Sequence, residues 1–411
     1  MDVFVERCAG LDIGKADLKA CVRSPGARRN ARRSEVRTFR TTTAGLLQLR
    51  DWLAGQAVTL VGMESTGDYW KPVYYVLEDA LECWLLNAAH MKRVPGRKTD
   101  VSDAQWIAQL IENGLVRPSF VPPEPIRRLR DLTRYRTALT QERTREIQRL
   151  HNVLEDAGIK LSCVATDIMG RSGRSMLAAL VAGERDEHVL ADMALAKLRD
   201  KMPALQEALV GHFGDHHARL VSMMLGHIDT LQGDIDTLTE VIDEQIRPFH
   251  RTRQLLCTIP GVSERIAEVI IAETGAEMAR FPTPGHLTSW AGMCPGNNES
   301  AGRHMSGRTR KGNRWLRSAL GQAAIGAART KASYLSARYR RVAARRGKQR
   351  AQVAVGATIL QAAWHIMAAD VAYADLGADY YLTRVPNPQR KIDRLTHELQ
   401  ALGYKVTLTA A

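Results

Sequence analysis

The order of apolar segments in the first 86 residues is the feature that most constrains how this chain can fold. Short apolar runs between turn residues predict strands, and apolar residues spaced three or four apart predict helices. The predicted segments are strands at Cys8–Ile13, Leu18–Val22 and Val36–Thr41 with a turn at Ser24-Pro25-Gly26, a helix capped by Thr43, a strand at Val58–Met63, a helix at Tyr74–Leu81 and a strand at Cys83–Leu86. This order predicts an α/β domain, and the uninterrupted apolar run of the fourth strand is typical of a sheet covered on both faces.

Acidic residues stand at the ends of two of these strands and on a later predicted helix. Asp12 lies at the end of the first strand, and Glu64 comes directly after the fourth. Asp100 and Asp103 are three residues apart in a helix predicted by the apolar spacing from Val101 to Ile111, so both side chains leave one face. Such a pair indicates either a cation site, because like charges repel, or a surface helix start, where acids suit the helix dipole.

The element order resembles that of the ribonuclease-H/RuvC-like nucleases, and the acids fall where that fold places them. The resemblance implies a D-E-D-D set formed by Asp12, Glu64, Asp100 and Asp103. Four carboxylates at one sheet edge repel by several kcal/mol without counter-ions, so the set implies bound cations. Oxygen ligands select Mg²⁺, with Mn²⁺ as the alternative, over zinc. Asp17 and Asp68 end no strand, and we expect them to be ordinary solvated surface.

Positive charge is concentrated in one block near the C-terminal end. The chain has 58 Lys and Arg against 44 Asp and Glu, a net charge of +14. The segment 303–350 contains 15 of the basic residues, and no acid lies between Glu299 and Asp370. Because the rest of the chain is about neutral, the block predicts a local nucleic-acid surface rather than a solvated basic face. The predicted contacts are Arg303, Arg308, Arg310, Lys311 and Arg314.

Composition argues against a membrane or an oxidising compartment. No apolar run is long enough to span a bilayer, and the N-terminus lacks the apolar core of a signal peptide. The six cysteines are scattered singly without a CxxC pair, which favours a reducing cytosol over disulfides or structural zinc. We therefore expect a cytoplasmic protein without a membrane partner.

Two long helices are predicted in the middle of the chain. Pro122-Pro123-Glu124-Pro125 predicts a stiff connector to a helix over Ile126–Leu154. The many arginines of that helix are unmatched by local acids, which favours a nucleic-acid contact over a solvated face. Apolar residues spaced alternately three and four apart from Val221 to Ile242 predict a second helix with a heptad seam. The partner of this seam is either the Arg-rich helix or the same helix of a second subunit.

Two motifs after residue 250 predict local sites. Leu255–Val262 resembles a helix-hairpin-helix element, whose turn at Pro260 and Gly261 can hold a phosphate through backbone N–H groups. Small and turn-forming residues surround Ser300, so we expect a loop with an accessible hydroxyl.

Motifs along nearly the whole chain resemble the IS110/IS1111 family of DEDD transposases. The motifs are Leu11-Asp12-Ile13-Gly14-Lys15, Met63-Glu64-Ser65-Thr66-Gly67, Lys98-Thr99-Asp100-Val101-Ser102-Asp103, Trp290-Ala291-Gly292, Asn298-Glu299-Ser300-Ala301-Gly302 and Thr309-Arg310-Lys311-Gly312-Asn313-Arg314. The resemblance implies a RuvC-like DEDD domain over residues 1–120, a helical coiled-coil linker over 121–250, a mainly helical transposase domain over 251–370 and a tail over 371–411.

The resemblance also implies a mechanism and partners. A serine, for which Ser300 is the first choice and Ser306 the second, attacks a DNA phosphate with Mg²⁺ on the D-E-D-D set, and the strand is held as a phosphoserine. The implied partners are DNA, a structured guide (bridge) RNA and further copies of the chain, as a dimer or tetramer, at the bacterial nucleoid. The competing functions are a RuvC-like nuclease that uses metal-activated water, and a nucleic-acid-binding scaffold without catalysis.

Overall fold

The chain divides into two compact units, Met1–Val121 and Pro122–Ala411. The computed structural model describes residues 3–28, 31–65, 67–91, 94, 102–296, 298–300, 302–383 and 388–409. The predicted end of the first domain at residue 120 stays a prediction. The further divisions at residues 250 and 370 stay predictions.

One sheet organises the N-terminal unit. Its strands are β1 (Cys8–Ile13), β2 (Asp17–Pro25), β3 (Arg32–Arg40), β4 (Leu60–Glu64) and β5 (Glu82–Leu86). Among the described residues they form a five-stranded sheet in the order β3-β2-β1-β4-β5. Strands β1 and β2 are antiparallel, whereas β1, β4 and β5 are parallel. The helices of this unit are α1 (Thr43–Gly55), α2 (Trp70–Leu77), α3 (Ala88–Met91) and α4 (Asp103–Glu112). The predicted element order is therefore correct.

Several predicted element boundaries were wrong. The turn predicted at Ser24-Pro25-Gly26 is replaced by strand, because β2 continues to Pro25, which pairs with Arg32 at the end of the β2–β3 ladder. A proline is tolerated there because the strand end needs no further N–H donor. Helix α1 is capped by the side chain of Thr42 rather than Thr43. Helix α2 begins at Trp70, four residues before the predicted start.

The two faces of the sheet pack against different helices. Leu11 and Met63 lie in a core shared with the buried leucines of α1 and α2. The opposite face carries Gly10 and Gly62, and α4 lies directly on it. A Cβ on Gly10 would stand 2.3 Å from the backbone oxygen of Ala104 in α4. Only glycine permits this close approach, so α4 is fixed on the face from which Asp12 and Glu64 also point, since strand side chains alternate.

The C-terminal unit contains two long helices, and their packing shows which helix the heptad seam contacts. They are α5 (Glu124–Asp156) and α10 (Asp215–Gln245). Leu231 and Ile235 of the seam pack against Leu139 of α5, so the two helices form a hairpin within one chain. Between them lie α6 (Leu161–Val164), α7 (Arg171–Val181), α8 (Glu187–Asp192), a 3-10 turn at Ala196–Lys201 and α9 (Met202–Leu209).

The remaining elements are mostly helical. They are α11 (His250–Cys257), α12 (Glu264–Thr274), α13 (Pro284–Trp290), β6 (Asn298–Ser300), β7 (Arg303–Ser306), α14 (Arg314–Arg329), α15 (Tyr334–Arg346), α16 (Lys348–Ala369), α17 (Tyr380–Thr383) and α18 (Pro388–Ala401), with 3-10 turns at Arg247–Phe249 and Met278–Arg280. Helix α16 is long and apolar enough to cross a membrane by length and composition alone, so the prediction that no apolar run has this length was wrong. It buries Val355, Ile359 and Ala363 and packs against α13, α14 and α15, as a core helix does.

Candidate functional site

Two of the predicted carboxylates leave the same edge of the sheet. Leu11 of β1 pairs with Met63 of β4. The next residues, Asp12 and Glu64, therefore lie side by side at the carboxyl ends of two adjacent parallel strands. Both side chains are half-buried. Because they alternate with the glycines that contact α4, they lie on the α4 face of the sheet.

Asp103 brings a third carboxylate to this edge. It is the first residue of α4, directly after the N-cap Ser102, whose side chain forms a capping box with Gln105. The pKa of Asp12 is raised, first by partial burial and next by the negative charge of Asp103, while Lys19 across the β1–β2 ladder lowers it. Burial and a neighbouring negative charge both disfavour the ionised form of Asp12, and a bound cation would offset both effects. Because α4 begins at Asp103 after Ser102 in an extended conformation, the prediction of one helix face that carries both Asp100 and Asp103 was wrong. Asp100 itself lies outside the described residues, so its part in the set stays a prediction.

The donor chemistry of this edge fits a hard divalent cation. Asp12, Glu64 and Asp103 offer only carboxylate oxygens, and the repulsion between Asp12 and Asp103 is the one that a cation relieves. The two acids omitted from the set behave as expected of surface residues. Asp17 is exposed at the start of β2, and Asp68 is exposed in a turn, where it forms an ion pair with Lys71 at 3.0 Å.

A separate cluster in the linker region also brings possible metal ligands together. Atoms of Asp156, His216 and His217 all lie within 4.8 Å of one another. His217 is buried, and its Nδ1 accepts the Gly214 N–H at the start of α10 at 3.1 Å. Its Nε2 lies 3.2 Å from the Asp156 carboxylate. These two bonds explain the buried histidine as part of the start of α10.

Ser300 lies on a hairpin arm rather than in the predicted open loop. Strands β6 and β7 pair antiparallel, with Ser300 opposite Arg303 and the tight turn completed by Gly302 at φ +74°. Ser306 pairs with Asn298 at the other end of the hairpin. Side chains of both serines lie outside the described part of the structure, so the roles assigned to their hydroxyls stay predictions.

The base of this arm is joined to the segment that precedes α14. Pro295 pairs with Thr309, and the Gly296 N–H donates to the Arg308 carbonyl at 2.9 Å. Close behind the pair, Gly292 adopts φ +69°, and a Cβ there would stand 2.8 Å from the Cα of Gly312. Two motifs singled out in the sequence, Trp290-Ala291-Gly292 and Thr309–Arg314, therefore meet backbone to backbone.

A buried carboxylate that the sequence analysis missed positions the start of α14. Asn313 is the N-cap, and its Oδ1 accepts the N–H groups of Trp315 and Leu316. Its Nδ2 donates to Glu273 of α12 at 2.5 Å, and Glu273 is fully buried. Arg134 of α5 binds both oxygens of Glu273, at 2.7 and 2.8 Å. The N-cap could have been found from an Asn directly before an apolar-periodic segment, whereas nothing local indicates Glu273.

The interpretation of the Arg-rich helix α5 as unmatched by acids was wrong. Arg130 donates to the carbonyls of Ala272 and Glu273, and Arg136 pairs with buried Glu268 at 2.5 Å. The acids that match these arginines are supplied by α12, more than 130 residues away in sequence. These side chains join helices instead of offering positive charge to a ligand.

The C-terminal basic block, by contrast, is mostly at the surface. The five predicted contacts Arg303, Arg308, Arg310, Lys311 and Arg314 are all exposed. They follow the hairpin arm and the first turn of α14, where the helix dipole adds positive potential. Arg338 is an exception in the block, because it is half-buried and donates to the hydroxyl of Tyr381 at 3.1 Å.

The glycine of the predicted phosphate-binding turn, Pro260-Gly261, is also explained by packing. Gly261 adopts φ +85°, and a Cβ there would stand 2.2 Å from the carbonyl oxygen of Ala323 in α14. The glycine therefore allows the turn between α11 and α12 to contact α14 closely. The role of Pro260 and Gly261 in nucleic-acid binding stays a prediction.

Comparison with known proteins gives matches in both units. Residues 9–159 match a DEDD transposase family of the IS110 type, described as "Transposase", and residues 253–340 match the "Transposase IS116/IS110/IS902 family". The chain is 26% identical over 344 residues to the uncharacterized 42 kDa protein of insertion element IS900 from Mycobacterium paratuberculosis, covering 76% of this chain and 82% of that protein. It is 28% identical over 137 residues to the uncharacterized 43.6 kDa protein of insertion element IS110 from Streptomyces coelicolor, covering 30% and 33% of the two chains.

The two family matches name the same group and together cover more than half of the chain. They include the strand-end carboxylates in the first unit and the segment from α11 to α15 in the second. The acidic sheet edge and the exposed basic arm are features expected of an enzyme that acts on DNA. The chain therefore belongs to the IS110 family of insertion-sequence transposases and is a DNA transposase.

Proposed function

We propose that this transposase cuts and rejoins DNA through Ser300, with Mg²⁺ held by Asp12, Glu64, Asp100 and Asp103. The observation that carries the proposal is that Asp12 and Glu64 end adjacent parallel strands, while the charge of Asp103 at the start of α4 acts on Asp12. Carboxylates with that electrostatic relation favour a divalent ion. When bound, such an ion lowers the pKa of a coordinated hydroxyl and stabilises charge that develops on phosphate oxygens.

In the proposed reaction the serine is the nucleophile. The Ser300 hydroxyl attacks a DNA phosphorus, one P–O bond to the strand breaks, and the departing DNA oxygen takes up a proton. The phosphoserine diester retains the energy of the broken bond. Attack by the hydroxyl of another DNA end then rejoins the strand and releases the serine, so no nucleotide triphosphate is needed.

Arg303 is suited to assist at the same place. It stands opposite Ser300 in the hairpin and is exposed, so its guanidinium can bind the phosphate that the serine attacks. The charges of Arg308, Arg310 and Lys311 continue along the arm and the segment before α14. These residues bind the phosphates on either side of the cut without reading the sequence.

A guide RNA is part of the proposal because the basic block does not itself suggest base readout. Phosphate contacts give affinity, whereas target choice needs base recognition, which pairing to an RNA supplies. The resemblance in the DEDD and serine motifs supports this partner. RNA that copurifies with the protein should derive from non-coding sequence beside its gene. Digestion of that RNA should abolish target choice and leave general DNA binding intact.

The test of the serine is a search for a covalent protein–DNA species. Denatured reactions of the wild type in Mg²⁺ should contain protein attached to a cut DNA end. Ser300→Ala should lose both adduct and cleavage, and Ser306→Ala is the matched control that keeps them. Asp12→Ala and Glu64→Ala should lose cleavage but still bind DNA. Recovery of activity on mixing Ser300→Ala with Asp12→Ala would indicate a site shared between subunits.

One result would favour a different enzyme. If Ser300→Ala cuts DNA normally in Mg²⁺ and no adduct forms in the wild type, the serine has no role. The remaining mechanism is then that of a nuclease in which water attacks the phosphate at the carboxylate edge. Binding without cleavage by the wild type under all metal conditions would instead indicate a scaffold.

A further inference from the structure

A cleft of about 570 Å³ opens between α14 and the beginning of α16. Its lining combines three cationic side chains, Lys311, Arg314 and Arg317, with the apolar side chains of Met293 and Val353. A volume of this size is typical of sites that enclose one small ligand or one ligand group. Lys311 and Arg314 also belong to the exposed basic contacts described above, whereas no lining residue belongs to the β6–β7 hairpin or to the carboxylate set.

The charges of the cleft select an anion. Among the described residues, none that lines it is an acid. Arg317 donates to the Thr309 hydroxyl at 3.3 Å and to the Arg310 carbonyl at 3.4 Å, both neutral acceptors that orient the guanidinium without cancelling its charge. Arg314 stacks on the Trp315 ring with 4.5 Å between its Cζ and the ring centroid. The positive end of the α14 dipole lies among these residues.

The uncharged part of the lining suits a flat, partly polar group. Gln352 donates its amide to the Gly321 carbonyl at 3.0 Å, which holds the side chain against α14. Gly321 makes room for it, because a Cβ there would stand 3.1 Å from the Gln352 Nε2. The bond uses one N–H of the amide, and the carbonyl oxygen is a further acceptor. An inorganic anion would need no apolar wall, whereas a nucleobase uses both an apolar wall and an amide.

Resting on the proposed function in DNA strand exchange, we propose that this cleft takes one unstacked nucleotide of a single strand. Its phosphate binds Arg314, Arg317 and Lys311, and its base lies against Met293 and Val353. Strand exchange separates paired strands, and a displaced base loses its stacking partners unless the protein replaces them. The cleft would supply that replacement beside the arm that carries Ser300.

The test compares single-stranded and double-stranded DNA in variants that fill the cleft. The probes are a single-stranded oligothymidylate of about ten residues and a duplex of equal length. Ser318→Trp places a large ring in the cleft from the exposed side of α14, and Val353→Trp does so from α16. Ile325→Trp is the matched control, two helical turns beyond Ser318 on the same exposed side and outside the cleft lining.

Each filling variant should weaken single-strand binding by about tenfold and leave duplex binding unchanged, because the filled cleft no longer has room for one base. Ile325→Trp should change neither. The cleft proposal would be overturned if both filling variants unfold at the wild-type temperature and bind the single strand with the wild-type affinity. Duplex binding would in that case still support the proposed function. A wild type that binds neither probe would overturn both. Thymidine monophosphate that binds as tightly as the oligonucleotide would overturn the assignment to a strand and indicate a free nucleotide instead.

Discussion

The pKa of the Asp12 carboxyl depends on its burial and on the charges around it. Its carboxyl is partly buried at the end of β1, beside the strand that ends in Glu64, and the negative charge of Asp103 acts on it from the start of α4. Both effects raise its pKa, so the native state holds the Asp12 proton more tightly than the unfolded chain does. Between the ordinary aspartate pKa and the raised one, stability therefore falls as the pH increases.

Replacing Asp12 by Asn should consequently stabilise the metal-free protein. At pH 7 the melting temperature of Asp12→Asn should exceed that of the wild type, and the difference should vanish below about pH 3.9, where the unfolded aspartate is also protonated. Adding Mg²⁺ should raise the melting temperature of the wild type and not that of the variant. Scanning calorimetry across pH checks this. A variant that gains as much from Mg²⁺ as the wild type would remove Asp12 from the ion site.

The strand-end position of Asp12 and Glu64 could be predicted from sequence because alternation and strand length are local properties. The position of Glu273 could not. Its partners Arg134 and Asn313 lie 139 residues before it and 40 residues after it, and each alone has an ordinary surface interpretation. Pairing at that distance depends on how α5, α12 and α14 pack, and no local spacing encodes it.

At the scale of elements, the buried ion pairs decide how α5, α12 and α14 are held together. Glu273 is buried with a bidentate arginine and an N-cap amide as partners. Removing Glu273 leaves the partly buried guanidinium of Arg134 without its carboxylate and the Asn313 amide without its acceptor. Glu277, just beyond the end of α12, is exposed and therefore allows a comparison between a buried and an exposed glutamate four residues apart.

Glu273→Ala should lower the free energy of unfolding by about 3–5 kcal/mol. Glu277→Ala is the control, since Glu277 is 64% exposed and its pair with Arg280 is 3.4 Å long, so its removal should cost less than about 1 kcal/mol. Urea unfolding of both variants measures the difference. Equal costs would mean that the buried network adds nothing beyond a surface pair.

Boundaries of elements were less predictable than their order. The β2–β3 ladder extends to Pro25 and Arg32 because strand pairing continues as long as the partner supplies bonds. The turn propensity of Ser24-Pro25-Gly26 is a weaker, local preference. Around Ser300 the same effect operates, since the pairing of β6 with β7 converts small, turn-forming residues into a hairpin arm.

At the scale of the whole molecule, the candidate carboxylate set and the block of basic residues belong to different units. The first unit offers a sheet edge with carboxylates, and the second an exposed basic arm. An acidic edge alone would repel DNA, so binding affinity must come largely from the basic unit. The net charge of +14 is sufficient for that and is supplied by one block of sequence.

Replacing Arg308, Arg310, Lys311 and Arg314 by Ala should reduce the dependence of DNA affinity on salt. The slope of log affinity against log salt concentration should become shallower by roughly one unit for each phosphate that the variant no longer binds. The matched control replaces Arg171, Lys197, Arg199 and Lys201, which removes the same charge from an exposed part of the linker region. Titrations at several salt concentrations measure both slopes. An unchanged slope in the first variant would place the phosphates elsewhere.

The bond of Arg134 to Glu273 also limits how such transposases can be recombined by engineers. A chimera that joins the linker of one relative to the C-terminal domain of another at residue 250 would separate α5 from α12. Glu273 would then face whatever the foreign α5 carries at positions 130 and 134, and only its contact with Asn313 would be kept. A junction in the Pro122-Pro123 segment, before α5, keeps the whole network in one parent. Chimeras of such relatives should therefore fold stably only with that longer module.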